Sequence, residues 1–385
     1  MTSPKESRVN EVALSQPLCT AIQIALLALL ESWNITPIAT IGHSSGEIAA
    51  ACGAGFISSS EAIIIAYYRG KVVSENKRQG AMLAVGLGSN EVGKYLAGLE
   101  GQVVIACYNS SASVTLSGDS VGIALVSQRL EADNIFNRKL MTDGRAYHSH
   151  HMKPLATLYE SLVETALTRL GITRNQINRK ARMISSVTGQ ELHGIDSGYW
   201  SRNLTGSVLF DTSLAELLRQ ETSLTHLLEL GPHGALGGPT RQILKDCVAN
   251  IIYEPTLSRN SNGVECLLQL AGKLFLKNFP VDLVSVNSIE KLTGEVTVLE
   301  HGKFLVDLPR YQWTYKKLYW AENRPSVEMR TINRARHDVL GRKVFGATDM
   351  EPVWRNILRN KDLPWLKDHQ VFMPFRLIAF CMRKN

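Results

Sequence analysis

IATIGHSSGEIAAACGAGF, residues 38–56, is the stretch of sequence that decides the fold. It begins with a short β-branched run and continues into Ala- and Glu-rich sequence that favours a helix, which Gly53 and Gly55 can end. Between the two, Gly42-His43-Ser44-Ser45-Gly46 fits the pattern G-x-S-x-G. A strand, a tight turn and a helix in this order predict a serine on a sharp turn at the edge of a parallel sheet.

A serine on such a turn is a candidate nucleophile. The turn exposes the Oγ of Ser44, and we expect Gly42 and Gly46 to give the backbone room that a Cβ would block. The first N–H groups of the following helix point at the site, so the Ser45 amide can hold a developing oxyanion. Because serine is a poor nucleophile until a base removes its proton, a histidine must come from elsewhere in the chain.

Two parts of the sequence offer histidines for this role. His43 directly precedes the serine, so its side chain should point away from Oγ, and we assign it to substrate binding. The cluster Tyr147-His148-Ser149-His150-His151 is the other candidate. Clustered histidines can also bind a metal, but no carboxylate or cysteine lies close in sequence to complete a ligand set. We therefore expect a base from this cluster and no metal.

The surrounding sequence predicts an α/β fold with an inserted subdomain. Residues 15–33 have the apolar recurrence of a helix, with Ser15 as its cap and Pro17 in its first turn. From Ala81 the pattern runs β, α, β, β, α, β, the order of a ferredoxin-like unit, and further α/β sequence follows. We expect an insert at about residues 80–144, with hinges at Gly80 and Asp143-Gly144, within a larger parallel-sheet domain.

Composition and charge exclude several classes of protein. With 385 residues, 44% hydrophobic and 20% charged, the chain is neither disordered, collagenous nor a small disulfide scaffold. The net charge of +7 comes from the sequence after Pro309, so the main body has no reason to bind nucleic acid. The nearly apolar run Ala21 to Leu30 is too short to cross a bilayer. Six scattered cysteines without a CxxC pair favour free thiols and a cytoplasmic location.

Five motifs in order carry a family resemblance: GHSSGEIAAACGAG, AYYRG, ACYNSSASVTLSGD, AYHSHHMKP and LELGPHGAL. Together they resemble the malonyl-CoA:acyl carrier protein acyltransferase domain of iterative type I polyketide synthases, particularly the fungal reducing kind. That domain has an α/β-hydrolase-like fold. Five ordered motifs are far more specific than any one of them.

The resemblance implies a role for each matching residue. Ser44 matches the acyl-accepting serine, and His148 matches the catalytic histidine, with His150 as the alternative. Arg69, which spacing alone would make a surface residue, matches the arginine that pairs with the malonyl carboxylate, a task suited to its planar fork. In this family backbone carbonyls orient the histidine, and Gly231-Pro232-His233 resembles the segment that supports it.

The same resemblance implies the reaction and its partners. Malonyl passes from malonyl-CoA through a malonyl-serine ester to the phosphopantetheine of an acyl carrier protein, without a catalytically bound cofactor. The partners implied are that carrier and the ketosynthase and dehydratase domains, with no nucleic acid and no membrane. The alternatives are a serine thioesterase or hydrolase, which would pass the acyl group to water, and a non-catalytic fragment of a synthase.

The resemblance also divides the chain. We expect an acyltransferase domain at residues 1–257, a linker at 258–330 and the first part of a dehydratase hotdog domain at 331–385. The family's domain starts with a further strand and a Gly-Gln-Gly-like turn that this chain lacks, and Gln16 is no substitute for it. His369 matches the dehydratase base, but Met373 and Ile378 replace the expected Gly and Pro, so we do not expect catalysis there.

Overall fold

The chain forms two compact units, residues Met1–Lys303 and Phe304–Asn385. The computed structural model describes residues 7–172, 178–293, 296–301, 306–317 and 320–368. The first unit extends beyond Leu257, the boundary expected from the sequence, because a later helix, Gly263–Leu276, buries Leu270 and Leu274 beside Trp33.

Helices and short parallel strands build the body of the first unit. Its elements are α1 (Val12–Ser32), β1 (Ala39–Ile41), α2 (Gly46–Gly53), α3 (Ser59–Glu75), α6 (Ala156–Arg169), β6 (Arg182–Ile184), α7 (Tyr199–Thr205), β7 (Val208–Leu209), α8 (Phe210–Gln220), β8 (His226–Glu229), α9 (Gly237–Asp246), β9 (Ile252–Pro255), α10 (Gly263–Leu276), α11 (Leu283–Val286), β10 (Ser288–Thr293) and β11 (Val296–His301). Strand β1 pairs in parallel with β6, and β8 with β9, which confirms the α/β class.

The parallel strands do not share one hydrogen-bonded sheet, as the sequence led us to expect. Within the described residues they form separate two-stranded pairs. The strands are only three or four residues long, and side chains join the pairs instead: Ile41, Ile184 and Leu227 lie in one apolar cluster. The apolar core therefore connects the strand pairs, although no backbone hydrogen bonds between the described strands do so.

Helix α1 begins earlier than predicted. Glu11 is its N-cap, Ser15 donates to the carbonyl of Val12 at 3.4 Å, and Pro17 lies inside the helix. By length and composition α1 could also span a membrane, but one such helix near the N-terminus is weak evidence for a membrane span. The nearly apolar run Ala21 to Leu30, which is too short to cross a bilayer, is only part of this helix. In the structure α1 packs on α3, so closely that a Cβ on Gly70 would lie 2.9 Å from the Val12 carbonyl oxygen.

The insert has the predicted ferredoxin-like topology. Its elements are β2 (Gly80–Val85), α4 (Ser89–Val92), β3 (Val103–Ser110), β4 (Ser113–Asp119), α5 (Ser120–Ala132) and β5 (Asn137–Lys139). The strand order β5-β2-β4-β3 is antiparallel throughout, and β7 from the body adds a parallel strand beside β3. The insert and the body therefore share one five-stranded sheet.

The two predicted hinges meet. The N–H of Gly80 donates to the carbonyl of Gly144 at 2.8 Å. Asp143 and Gly144 both have left-handed backbone angles, with φ of 50° and 72°, which turn the chain back into the body. The insert thus leaves and re-enters the body at a single place.

The second unit contains α12 (Arg324–Thr331), β12 (Arg342–Lys343) and β13 (Trp354–Arg355). The Glu328 carboxylate organises it by accepting hydrogen bonds from Arg324, Arg334 and the Gly346 amide. Four aromatic side chains of the predicted linker are exposed: Tyr311, Trp313, Tyr315 and Trp320. His369 lies outside the described residues, so the dehydratase assignment stays a prediction.

Candidate active site

The turn between β1 and α2 holds Ser44 in a left-handed conformation, with φ of 55°. Such a backbone is rare for a residue with a side chain and is typical of functional sites. A Cβ on Gly42 would collide with the backbone N and Cα of Glu47, so the turn requires glycine there. At Gly46 the expectation was wrong, because a Cβ would find no atom nearer than 3.8 Å. Only the first glycine makes room for the turn.

His148 supplies the partner of this serine. The Oγ of Ser44 donates to His148 Nε2 at 2.6 Å, and His148 Nδ1–H donates to the Gly206 carbonyl at 2.8 Å. The carbonyl thereby fixes the tautomer in which Nε2 can accept a proton. His150, the alternative, instead faces Asp119 at 3.3 Å. The structure therefore brings His148, and not His150, to Ser44.

The environment keeps the His148 imidazole neutral. Burial, helped by the nearby Arg69 cation, lowers the pKa of His148 to about 3. The unprotonated Nε2 is consequently available at neutral pH. Like Ser44, His148 has a left-handed backbone, with φ of 59°.

Arg69 is buried, with only 1% of its surface exposed, so its interpretation as a surface residue was wrong. One guanidinium nitrogen donates to Gln16 Oε1 at 2.7 Å and another to Ser44 Oγ at 3.4 Å. Its Nε has no hydrogen-bond partner, and no carboxylate of the described residues forms an ion pair with it. A buried cation without a counter-ion is costly, so the site favours an anion.

One cavity of about 350 Å³ joins these groups. Its lining includes the predicted residues His43, Ser44, Ser45, Arg69 and His148. Ser45 lines this space, and its amide donates none of the hydrogen bonds found among the described residues, whereas the amides of Gly46 and Glu47 donate to the His43 and Ser44 carbonyls. The Ser45 N–H is thus free to hold an oxyanion.

The two other predicted groups contact different parts of the domain. His43 Nε2 lies 2.9 Å from Asn109 Oδ1 in the insert, and His43 forms no side-chain hydrogen bond with Ser44 Oγ among the described residues. Gly231 donates to Thr256 Oγ1 at 3.4 Å. Among the described residues, the segment Gly231-Pro232-His233 forms no hydrogen bond with His148, whose carbonyl partner is Gly206, so its supporting role stays a prediction.

The contacts of three residues near Ser44 were not predicted from the sequence. Glu47 is fully buried, accepts from Ser186 and the Tyr199 hydroxyl, and burial raises its pKa to about 6. Asn203 donates to the Ser44 carbonyl at 3.0 Å, and Gln16 holds Arg69. Glu47 could have been found as a carboxylate next to the motif. Nothing in the sequence near Asn203 indicates its position.

The histidine cluster has a carboxylate neighbour that the sequence analysis missed. Asp119, far away in sequence, lies with His150 and His151 so that one ligand atom of each falls within 4.8 Å of the others. No carboxylate lies close to these histidines in the sequence, but the fold brings one next to them. The expectation of no metal is untested by this arrangement.

The body of the chain matches a known domain family. The family model described as "Acyl transferase domain" covers residues 1–280. The reducing polyketide synthase DEP5 of Alternaria brassicicola is 48% identical over 95% of this chain, which covers 16% of that protein. Prosolanapyrone synthase of Alternaria solani is 44% identical over 94% of the chain and 14% of its own length. The chain thus spans a small part of these relatives.

Solved structures agree with this assignment. The acyltransferase domain from the second module of the salinomycin polyketide synthase has a TM-score of 0.65 at 26% identity, covering 74% of this chain and 64% of that one. A loading acyltransferase from the avermectin modular polyketide synthase has a TM-score of 0.60 at 26% identity, covering 71% and 83%.

Proposed function

Because this chain belongs to the acyl transferase domain family, as the acyltransferase domain of a fungal reducing polyketide synthase, we propose that it loads malonyl groups. The donor is malonyl-CoA, and the acceptor is the phosphopantetheine thiol of an acyl carrier protein. The observation that carries the proposal is the contact of Ser44 with both His148 and the buried Arg69, which forms no ion pair with a carboxylate of the described residues.

In the first half-reaction Ser44 becomes acylated. His148 Nε2 takes the Oγ proton as Oγ attacks the thioester carbonyl, and the Ser45 amide holds the oxyanion. The carbon–sulfur bond then breaks, and His148 returns its proton to the leaving CoA thiolate. A malonyl-serine ester and free CoA result.

The second half-reaction runs through the same groups. His148 takes the proton of the phosphopantetheine thiol, whose sulfur attacks the ester carbonyl. The bond to Ser44 Oγ breaks, and His148 protonates the serine oxygen. These steps need only Ser44, His148 and the oxyanion donor, and no bound cofactor takes part in them.

Arg69 selects the acyl group. Its guanidinium lies beside Ser44 Oγ and has no carboxylate partner among the described residues, so it suits the free carboxylate of malonyl, which would supply the ion pair. An acyl group without a carboxylate leaves the cation unpaired. His43, which lines the same cavity, contributes to its wall.

The remaining assignments concern the longer protein. We assign residues 1–257 to the acyltransferase, 258–330 to a linker and 331–385 to the start of a dehydratase domain. The partners would be an acyl carrier protein and the ketosynthase and dehydratase domains of the same synthase, in the cytoplasm. The exposed aromatic side chains of residues 311–320 suit a linker that packs on a neighbouring domain.

Intact-mass measurement after mixing with malonyl-CoA tests the proposal. We expect a malonyl increment on the wild-type chain and none on Ser44→Ala. Absence of the increment from the wild type would refute malonyl loading. A serine hydrolase would release malonate equally fast with and without the carrier protein, whereas we expect faster turnover of the acyl-serine when the carrier is present.

A further inference from the structure

We propose that Asp119 is a positioning residue that holds the His148 segment through His151, so that the insert takes part in acyl transfer. The inference rests on the proposed function and adds a residue to its machinery. Asp119 ends β4 of the insert, whereas His151 belongs to the body, three residues after His148.

The hydrogen bond between His151 and Asp119 is short, and its acceptor is a charged carboxylate. His151 Nε2 donates to Asp119 Oδ1 at 2.6 Å, and His150 Nε2 lies 3.3 Å from the same oxygen. This hydrogen bond from His151 lowers the pKa of Asp119, so the carboxylate is ionised at neutral pH. Hydrogen bonds with an ionised acceptor are roughly twice as strong as neutral ones.

Several contacts besides the one with Asp119 hold His151 in place. Its side chain is fully buried, and its carbonyl accepts from Asn76 at 3.2 Å. Its N–H donates to Ser149 Oγ, which itself donates to the Ala146 carbonyl. A Cβ on Gly80 would lie 2.9 Å from His151 Cε1. A hydrogen bond to this ring therefore acts on the whole segment.

The His148 segment needs such support because its backbone is strained. A non-glycine residue at φ of 59° typically costs about 1–3 kcal/mol and persists only where its surroundings hold it. No glycine follows His148 to absorb the turn before Met152. Gly206 fixes the ring at one end, and the bond from His151 to Asp119 fixes the chain just beyond it.

The location of Asp119 separates its effect from substrate binding. Neither Asp119 nor His151 lines the cavity that contains Ser44 and Arg69. Loss of the hydrogen bond should therefore lower the rate of acylation and leave the affinity for malonyl-CoA unchanged. If Asp119 only stabilised the fold, its loss would lower the stability of the domain without separating the acylation rate from the affinity for malonyl-CoA.

Asp119→Ala, Asp119→Asn and the control Asp133→Ala test the inference in the full chain. Asp133 also lies in the insert and also accepts one short hydrogen bond, from the Tyr95 hydroxyl at 2.6 Å. The rate of malonyl-Ser44 formation is measured over a range of malonyl-CoA concentrations. We expect Asp119→Ala to lower the maximal rate about 10- to 100-fold with KM unchanged. Asp119→Asn, which keeps an acceptor oxygen, should fall between, and Asp133→Ala should retain the wild-type rate.

Other outcomes would overturn the inference. Equal loss in Asp119→Ala and Asp133→Ala, or a change confined to KM or to the melting temperature, would refute positioning. If Asp119→Ala does not fold, an unchanged rate in Asp119→Asn would refute it as well. If a chelator abolished wild-type activity and Zn²⁺ restored it, Asp119, His150 and His151 would bind a metal ion, and the proposed hydrogen bond would be refuted.

A fluorophosphonate probe separates this inference from the proposed function. The probe labels a serine activated by its histidine without recognising malonyl. If the wild type fails to load malonyl but labels quickly, and Asp119→Ala labels slowly, the substrate assignment fails and the positioning role stands. Equal labelling of both proteins would refute the positioning role alone.

Discussion

The segments that present Ser44 and His148 reach similar geometry by different means. Both place the reactive residue in a left-handed conformation, with φ of 55° and 59°. The turn at Ser44 is fixed locally, because Gly42 has no Cβ to collide with Glu47. The His148 segment is fixed by groups distant in sequence, Gly206 and Asp119. A turn fixed by its own residues can be recognised from the local sequence. The contacts that hold the His148 segment cannot, because their partners are far away in the sequence.

The largest expected effect separates the two histidines that the sequence left open. His148→Ala should lower malonyl loading about 10⁴-fold, since it removes the only base in contact with Ser44 Oγ among the described residues. Single-turnover intact-mass kinetics measure this rate. His150→Ala is the matched comparison, and its loss should be at most about tenfold because it touches Asp119 and not Ser44. A larger loss in His150→Ala than in His148→Ala would reverse the assignment.

The second effect concerns the acyl group. Arg69→Ala should lower loading of malonyl about 10²-fold, because the malonyl carboxylate then lies in a buried site without a cation. Loading of acetyl should fall less, and Arg69→Lys should recover part of the malonyl rate by restoring charge without the planar fork. Rates from malonyl-CoA and acetyl-CoA are compared for each variant. Equal losses for both donors would contradict the pairing with carboxylate.

The third effect sharpens the local side of the comparison. Gly42→Ala forces the backbone of α2 to move and should lower the free energy of unfolding by about 3 kcal/mol or more. Gly46→Ala, with open space around its Cβ, should change it by at most about 1 kcal/mol. Urea unfolding of the two variants measures the difference. Similar midpoints would show that the turn does not depend on the first glycine.

The smallest effect is the pH dependence of stability. The pKa of His148 is about 3 in the folded chain and rises to its ordinary value of 6.5 on unfolding. Below pH 6.5 the unfolded state binds the extra proton, so stability falls as the pH falls, by up to about 1.4 kcal/mol per unit. Urea unfolding at pH 7 and pH 5.5 should therefore show a larger loss in the wild type than in His148→Gln. An equal loss of stability in both proteins would mean that the His148 imidazole lies in a more polar environment than its burial indicates.

The sequence predicted what depends on neighbouring residues. The strand, turn and helix around Ser44 and the strand order of the insert follow from local patterns, and both are present in the structure. Ser15 was a poor guide to the start of α1, because Glu11 takes the cap position a turn earlier. The burial of Arg69 was not predicted, because its contacts with Gln16 and Ser44 join residues far apart in the sequence.

What the sequence could not predict depends on contacts across long separations. The carboxylate of Asp119 joins His150 and His151 only because β4 ends at the hinge of the insert. The carbonyl of Gly206 reaches His148 by its place after α7, and a carbonyl carries no residue-type signal. The separation of the parallel strands into pairs was likewise not predicted, and only contacts distant in sequence, such as the packing of Ile184 near Leu227, connect the pairs.

The meeting of Gly80 and Gly144 makes the insert a candidate for exchange between related domains. Because one hydrogen bond joins the two ends of the insert, a short linker could connect them with little loss of chain entropy. A different insert grafted between these ends should therefore leave the fold of the body intact. The graft would also have to supply an edge for β7 and an acid at the position of Asp119. Exchanging the insert therefore requires two peptide junctions at one place, an edge strand that pairs with β7 and an acid that binds His151.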